Sequence, residues 1–273
     1  TGSQALLKRA KARQLFAVFW LKEDPEERKG IIAESISLAG EAAKVFEAQG
    51  DRRGLAEAQR DLLYYLSLGM DLAKEWTVLK EQFDTVVGIT DSVVNGFEAL
   101  GDDEGLVESL YVIVSILPGM FDYVYGPTEV GEIAEKTGRL SEKLKVAAER
   151  IGSPHALCMA AAALFYATAN LETDQSKLRT LAETAVPAAE KTRDLRLIIH
   201  SMGILSWWMR LQAEVEEDPE QRRLLWERCA SVWSTMIEKN RIASPVWLPG
   251  NYGGLAECYL NSAVLVEFEP EKK

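Results

Sequence analysis

Only two histidines occur among the 273 residues, His155 and His200, and they bound the chemistry the chain can attempt. His155 precedes Cys158 by three positions, so both can meet on one helix face. A zinc site takes three or four ligands, and no third one follows nearby. His200 lies inside the apolar run LIIHSMGIL and reads as a hydrogen-bonded interior residue. Asp102 and Asp103 look like a magnesium pair, but Leu106 stands where a DDxxD signature needs its further acid. Capping of a helix N-terminus explains both carboxylates. Gly-Asn-Tyr-Gly-Gly at 250–254 lacks the Lys and Ser/Thr of a phosphate loop, and no GxSxG elbow occurs. No catalytic residue, metal site or cofactor is assigned, and the expectation is a protein that is not an enzyme. An all-helical enzyme would instead show clustered carboxylates or a metal in a cleft.

Residues suited to binding are more plentiful. Trp207 and Trp208 are adjacent, and neighbouring helical residues point about 100° apart. One ring therefore reaches a groove or a neighbouring element while the other is buried. Tyr64-Tyr65 and Phe165-Tyr166 fall at similar depth in their own segments and read as core layers. Around residues 242–252 the stretch IASPVWLPGNYGG carries two prolines with Trp247, Asn251 and Tyr252. It reads either as a shaped binding loop with aromatic anchors or as a flap that Trp247 folds over the apolar end of the last repeat. Pro249-Gly250-Asn251 has the composition of a turn. In PGMFDYVYGP, Tyr123 and Tyr125 alternate, so an extended chain would put them on one side. There they line a pocket or plug a seam.

The elements that must position these residues announce themselves by repetition. EAQGDRRGLAEA (47–58) returns as EALGDDEGLVES (98–109) and ERIGSPHALCMA (149–160), with Gly50, Gly101 and Gly152 spaced by 101 − 50 = 51 and 152 − 101 = 51 residues. Before each glycine runs a helical pattern, such as Ile32, Ile36, Ala39, Ala43 and Phe46 at three- and four-residue steps. The glycine suits a left-handed stop, and Asp51, Asp102 or Ser153 then caps the next helix. A weaker fourth copy, EKTRDLRLIIHS (190–201), has Arg193 for the glycine and Asp194 as the cap. In a split fifth copy GLAEC (254–258) nearly repeats GLAEA (54–58), with the preceding helix expected to end near Glu238-Lys239-Asn240. EDPEERK (23–29) and EDPEQRR (217–223) each offer an Asp cap followed by Pro at the first helical position.

A lone hairpin cannot bury its apolar face, so stacking of successive hairpins completes the core. On GDRRGLAEA and its copies the chain resembles the tetratricopeptide-type repeat family, in the degenerate form found in sensor regions of prokaryotic regulatory proteins. The period exceeds the ~34 residues of the standard repeat, and the Trp-Leu-Gly-Tyr and closing Pro signature is not cleanly present. The resemblance implies an all-α, right-handed superhelix of about five antiparallel hairpins, an α-solenoid, with an extra N-terminal helix. The expected organisation is a cloning scar at 1–3, a helix over 4–23, one repeat domain over 24–268 and a polar tail at 269–273.

Net charge −11 with pI about 4.9 argues against nucleic acid and anionic lipid as partners. No apolar run approaches the ~20 residues of a membrane span. Three cysteines without a CxxC pair suit reduced, buried thiols in a cytoplasmic protein. The functional expectation is a scaffold binding a protein or peptide segment in its groove, with the acidic surface favouring basic partners. The alternative is a small-molecule sensor domain whose ligand sits between Trp207-Trp208 and the 242–252 segment.

Overall fold

The structure is a computed structural model that describes residues 2–22, 24–73, 75–119, 127–171, 175–243 and 248–267. Eleven helices and no strand occur among the described residues: α1 Gly2–Phe19, α2 Pro25–Ala48, α3 Arg52–Leu72, α4 Trp76–Leu100, α5 Asp103–Gly119, α6 Pro127–Ile151, α7 Pro154–Leu171, α8 Gln175–Thr192, α9 Leu195–Val215, α10 Pro219–Ala243 and α11 Leu248–Glu267. They pair as five hairpins, α2/α3 to α10/α11, preceded by α1. Within α1–α7, and again within α8–α11, each helix packs on the next, which is the α-solenoid expected from the repeats. Gly2 and Ser3 are helical, within α1.

The corners form as their residues require. Gly50, Gly101 and Gly152 adopt φ of 69°, 63° and 65°, and Arg193 takes the same left-handed place at 58° despite its side chain. At the first two, the glycine N–H bonds the carbonyl of Glu47 or Glu98, and the next N–H reaches back to Phe46 or Phe97 at 3.0 and 3.1 Å. This pair of reversed bonds satisfies carbonyls that a helix end would otherwise leave open. Asp51 and Asp102 each accept the N–H three residues on at 2.9 Å, Ser153 does so at 3.2 Å, and Asp194 caps α9 through the N–H groups of Arg196 and Leu197.

Bulk is shared across each corner. A Cβ at Gly54 would meet Phe46 at 2.4 Å, one at Gly105 would meet Phe97 at 2.2 Å, and one at Gly254 would meet Trp233 at 2.5 Å. A large ring from the first helix thus lies on the bare backbone of the second. The third and fourth corners hold Ala148 with Ala156 and Ala189 with Leu197 at the same positions, counted from their left-handed residues.

The fifth corner differs from the sequence expectation. Residues 248–252 are helical, so Pro249-Gly250-Asn251 is not a turn, and α10 continues to Ala243 instead of stopping near Asn240. Proline fits here because the first turn of a helix needs no N–H partner. Trp233, not the region of Glu238, occupies the place of Phe46, and the added residues lengthen both helices of the hairpin.

The chain divides into two compact units, residues 1–173 and 174–273. Within the first, α1 packs on α3, α3 on α5 and α5 on α7, whereas α2, α4 and α6 make no comparable row. The stack therefore closes on the side of the α1–α3–α5–α7 row, which becomes its inner face.

Candidate functional site

Counting from the bare glycine of each ring-bearing corner picks out a recurring ion pair in both units. Three positions after Gly54, Gly105 and Gly254 stand Glu57, Glu108 and Glu257. Each takes an arginine from the preceding second helix, or from α1: Arg9 bonds Glu57, Arg60 reaches Glu108 at 2.8 Å and Arg210 reaches Glu257 at 3.0 Å. In the first unit this grows into a network. Buried Asp61 accepts Arg9 Nε at 2.7 Å and Arg13 Nε at 2.8 Å, with Arg13 Nη2 on its other oxygen at 2.9 Å. That hydrogen-bonded carboxylate holds the Arg13 guanidinium above its ordinary range, against the opposing effect of burial. Paired charges of this kind fix the register of α1 on α3, since removal of either partner would strand the other in a dry site.

Farther along, the row of the first unit turns aromatic. Tyr64 on α3 and Tyr166 on α7 follow Gly54 and Ala156 by ten positions, as Trp207 on α9 of the second unit follows Leu197. All three are half-buried, whereas Tyr65, Phe165 and Trp208 beside them are buried. The paired aromatics that sequence reading assigned to core layers thus divide: one ring enters the core and its neighbour stays on the open side. On α5 the corresponding residue is Ser115, with half-buried Tyr111 one turn earlier. Burial, with the charge of Glu108 adding to it, pushes the Tyr64 hydroxyl well above its usual range, and burial pushes that of Tyr166 up to about 12.

Asp71, near the end of α3, completes this face. Its surface is open, yet the surrounding protein displaces enough water to push its carboxyl up to about 6. Its charge is felt by Tyr166 on α7, which places both in one electrostatic neighbourhood. No ion pair to Asp71 occurs among the described residues. Sequence reading did not single it out; the signal was the stripe Glu57, Arg60, Tyr64, Asp71 at three-, four- and seven-residue steps.

The residues singled out from sequence fare unevenly. Trp208 is buried with the Arg179 guanidinium 6.0 Å from its ring, and Trp207 is half-buried, the division their adjacency requires. Asn251 is buried and accepts Asn240 Nδ2 at 2.6 Å; the exposed Tyr252 hydroxyl accepts Arg241 Nη2 at 3.0 Å. Both therefore tie α11 to α10, instead of standing on a loop. Trp247, Tyr123 and Tyr125 lie outside the described residues. His155 is exposed while Cys158 is buried, and no cluster of three His, Cys, Asp or Glu suited to a metal occurs among the described residues.

No protein-family model matches the sequence, and no curated protein matches it. Among solved structures, a circular tandem repeat protein with novel repeat topology is similar at 14% identity and TM-score 0.41, over 98% of this chain and 72% of that one. A self-assembling cyclic homooligomer from computational design is similar at 12% identity and TM-score 0.28, over 97% and 94%. The fold assignment rests on the helix packing itself. No described helix is long and apolar enough to cross a membrane.

A separate cavity of about 340 Å³ opens between α2, α3 and α4, lined by Ile32, Ile36, Leu72, Val78 and Gln82, with Lys29 and Glu75 also on its wall. Gln82 Oε1 is buried there without a hydrogen-bond partner among the described residues, and its amide lies where a Cβ on Gly69 would come within 2.8 Å. This is not the place between Trp207-Trp208 and the 242–252 segment where a sensor ligand was expected.

Proposed function

We propose that this chain is a non-enzymatic helical-repeat scaffold of tetratricopeptide-like kind that holds a segment of a partner protein against the inner row of its first unit. The observation that supports this most is that half-buried Tyr166 feels the charge of Asp71, on the same helix face as half-buried Tyr64, and that Asp71 makes no ion pair among the described residues. Rigid aromatic rings gain contact area with little loss of side-chain freedom, and they dominate binding energy where they occur. Asp71 favours a Lys or Arg in the bound segment. The ion-paired arginines keep the helices in place, so the surface is formed before the partner arrives.

Panning a display library of linear peptides against the chain tests this. Peptides with a basic residue among apolar ones should be enriched, and Tyr166→Ala and Asp71→Asn should each weaken a selected peptide at least tenfold, about 1.4 kcal/mol. Equal binding by both variants, or absence of enrichment, would refute the reading.

The cavity beside Gln82 favours a second reading, small-molecule sensing. Its ligand would be apolar with one hydrogen-bond donor for Gln82 Oε1. A thermal-shift screen with metabolites, repeated on Ala33→Trp to fill the cavity, distinguishes the two. Stabilisation lost in that variant supports sensing, and stabilisation unaffected by it does not.

A further inference from the structure

The fifth hairpin is closed by a series of rungs between α10 and α11. At one, the Trp233 ring lies on Gly254; at another, Asn240 bonds Asn251. One turn from Trp233 and Gly254, four residues back on α10 and four forward on α11, stand Cys229 and Cys258. Both are free, both are fully enclosed, and each lies close enough for the other to shift its proton affinity. The first hairpin fills the same rung with Ala42 and Ala58, members of one enclosed core cluster. Small side chains suffice at this rung. The fifth hairpin places sulfur on both sides of it.

We propose that Cys229 and Cys258 form an oxidisable dithiol, a disulfide site closed by hydroperoxides that fastens α11 to α10. Helices near enough for a ring to rest on bare backbone one turn away approach the separation a disulfide requires, Cα atoms about 4.4–6.8 Å apart. The two sulfurs differ in setting. The Cys229 thiol donates to the Ser206 carbonyl at 3.5 Å, and its contact with Cys258 together with burial holds it up. Cys258 stands on α11, whose far side is open to solvent, so it meets the oxidant first and Cys229 resolves.

The Cys258 thiolate attacks one peroxide oxygen and the O–O bond breaks. The departing alkoxide, or hydroxide when the oxidant is hydrogen peroxide, takes up a proton, and Cys258 is left as a sulfenic acid. Cys229 sulfur then attacks Cys258 sulfur, the S–O bond breaks, and hydroxide leaves to combine with the Cys229 proton as water. Two thiols lose two electrons and one hydroperoxide becomes an alcohol and water. Access comes through α11, whose far side carries Tyr259 and Leu260 at 59% and 66% exposure, so that it is held chiefly from the α10 side. Elements covered on one side open locally at lower cost than those covered on both.

The test treats the folded chain with a small excess of hydrogen peroxide. Thiol titration after unfolding should fall from three groups to one, the mass should drop by two hydrogen atoms, and peptide mapping should join Cys229 to Cys258. The melting temperature should rise and return on treatment with dithiothreitol. Cys158→Ser must behave alike, going from two thiols to none. In Cys229→Ser, a dimedone adduct should appear on Cys258. Retention of all three thiols, a bridge through Cys158, or sulfinic and sulfonic acids without a cross-link would overturn the proposal. This inference is independent of the binding proposed for the first unit, and failure of either leaves the other standing.

Discussion

The first and fifth hairpins share nearly the same five letters, GLAEA and GLAEC, yet end in different ways. Past Phe46, α2 runs 48 − 46 = 2 residues before Gly50 turns the chain; past Trp233, α10 runs 243 − 233 = 10. α3 begins 54 − 52 = 2 residues before its ring-bearing glycine and α11 begins 254 − 248 = 6 before its own. Four residues after Trp233, where Gly50 would stand, the chain has Ile237, and Glu238 replaces the capping Asp51. With no left-handed stop and no short cap, the helix continues. Additional residues at a helical corner are most cheaply placed in helix, where every backbone group finds its partner. The difference teaches that contact between ring and glycine sets the register of a hairpin, while the stop and cap set its length.

The largest way to test this contrast lies at Asp61. The fifth hairpin has Asn261 at the corresponding position, seven residues after its glycine. Asp61→Asn writes the fifth pattern into the first and leaves the buried Arg9 guanidinium short of a partner. Urea denaturation should show a loss of about 3–5 kcal/mol, whereas Asn261→Asp should change little. Next come Gly54→Ala and Gly254→Ala, each of which drives a Cβ into a ring. Both should cost about 1–3 kcal/mol, and Phe46→Leu should recover part of the first loss. At the corners proper, Asp51→Ala removes a cap and should cost about 1 kcal/mol. Arg193→Gly relieves a left-handed side chain and should gain about 1 kcal/mol.

A pH series separates the two units. Asp71 has its folded pKa raised to about 6 from an ordinary ~3.9, so its contribution is full below the lower value and is lost as pH rises through the upper. His200 has its folded pKa lowered to about 4 by burial, from ~6.5. Its contribution is present above the upper value and lost as pH falls. Between roughly pH 4 and 6 the two act in opposite directions. Melting curves across that range should lose one slope in Asp71→Asn and the other in His200→Gln.

Much of this architecture was legible before any coordinates. Gly50, Gly101 and Gly152 read as left-handed stops because few other residues suit that backbone, and Asp51, Asp102 and Asp194 read as caps because a short acceptor beside exposed N–H groups has one obvious use. Arg193 was legible only by position, since nothing in its chemistry favours φ of 58°. The start of α11 was not, because Pro249 and Gly250 serve a turn and a first helical turn equally well. The meeting of Asp71 with Tyr166 depends on α3, α5 and α7 stacking, and the contact of Cys229 with Cys258 on the register of two antiparallel helices. Those are long-range facts that local spacing does not encode.

The sharing of bulk across corners also bears on how such a chain can be recombined. Phe46 opposite Gly54, Ala148 opposite Ala156 and Trp233 opposite Gly254 are matched halves, like keys cut for single locks. A crossover that falls between hairpins exchanges complete matches and leaves each fit intact. One that falls at a tip would join a ring to a methyl-bearing partner, or bare backbone to no ring. The links between hairpins are therefore the seams at which splicing keeps every fit.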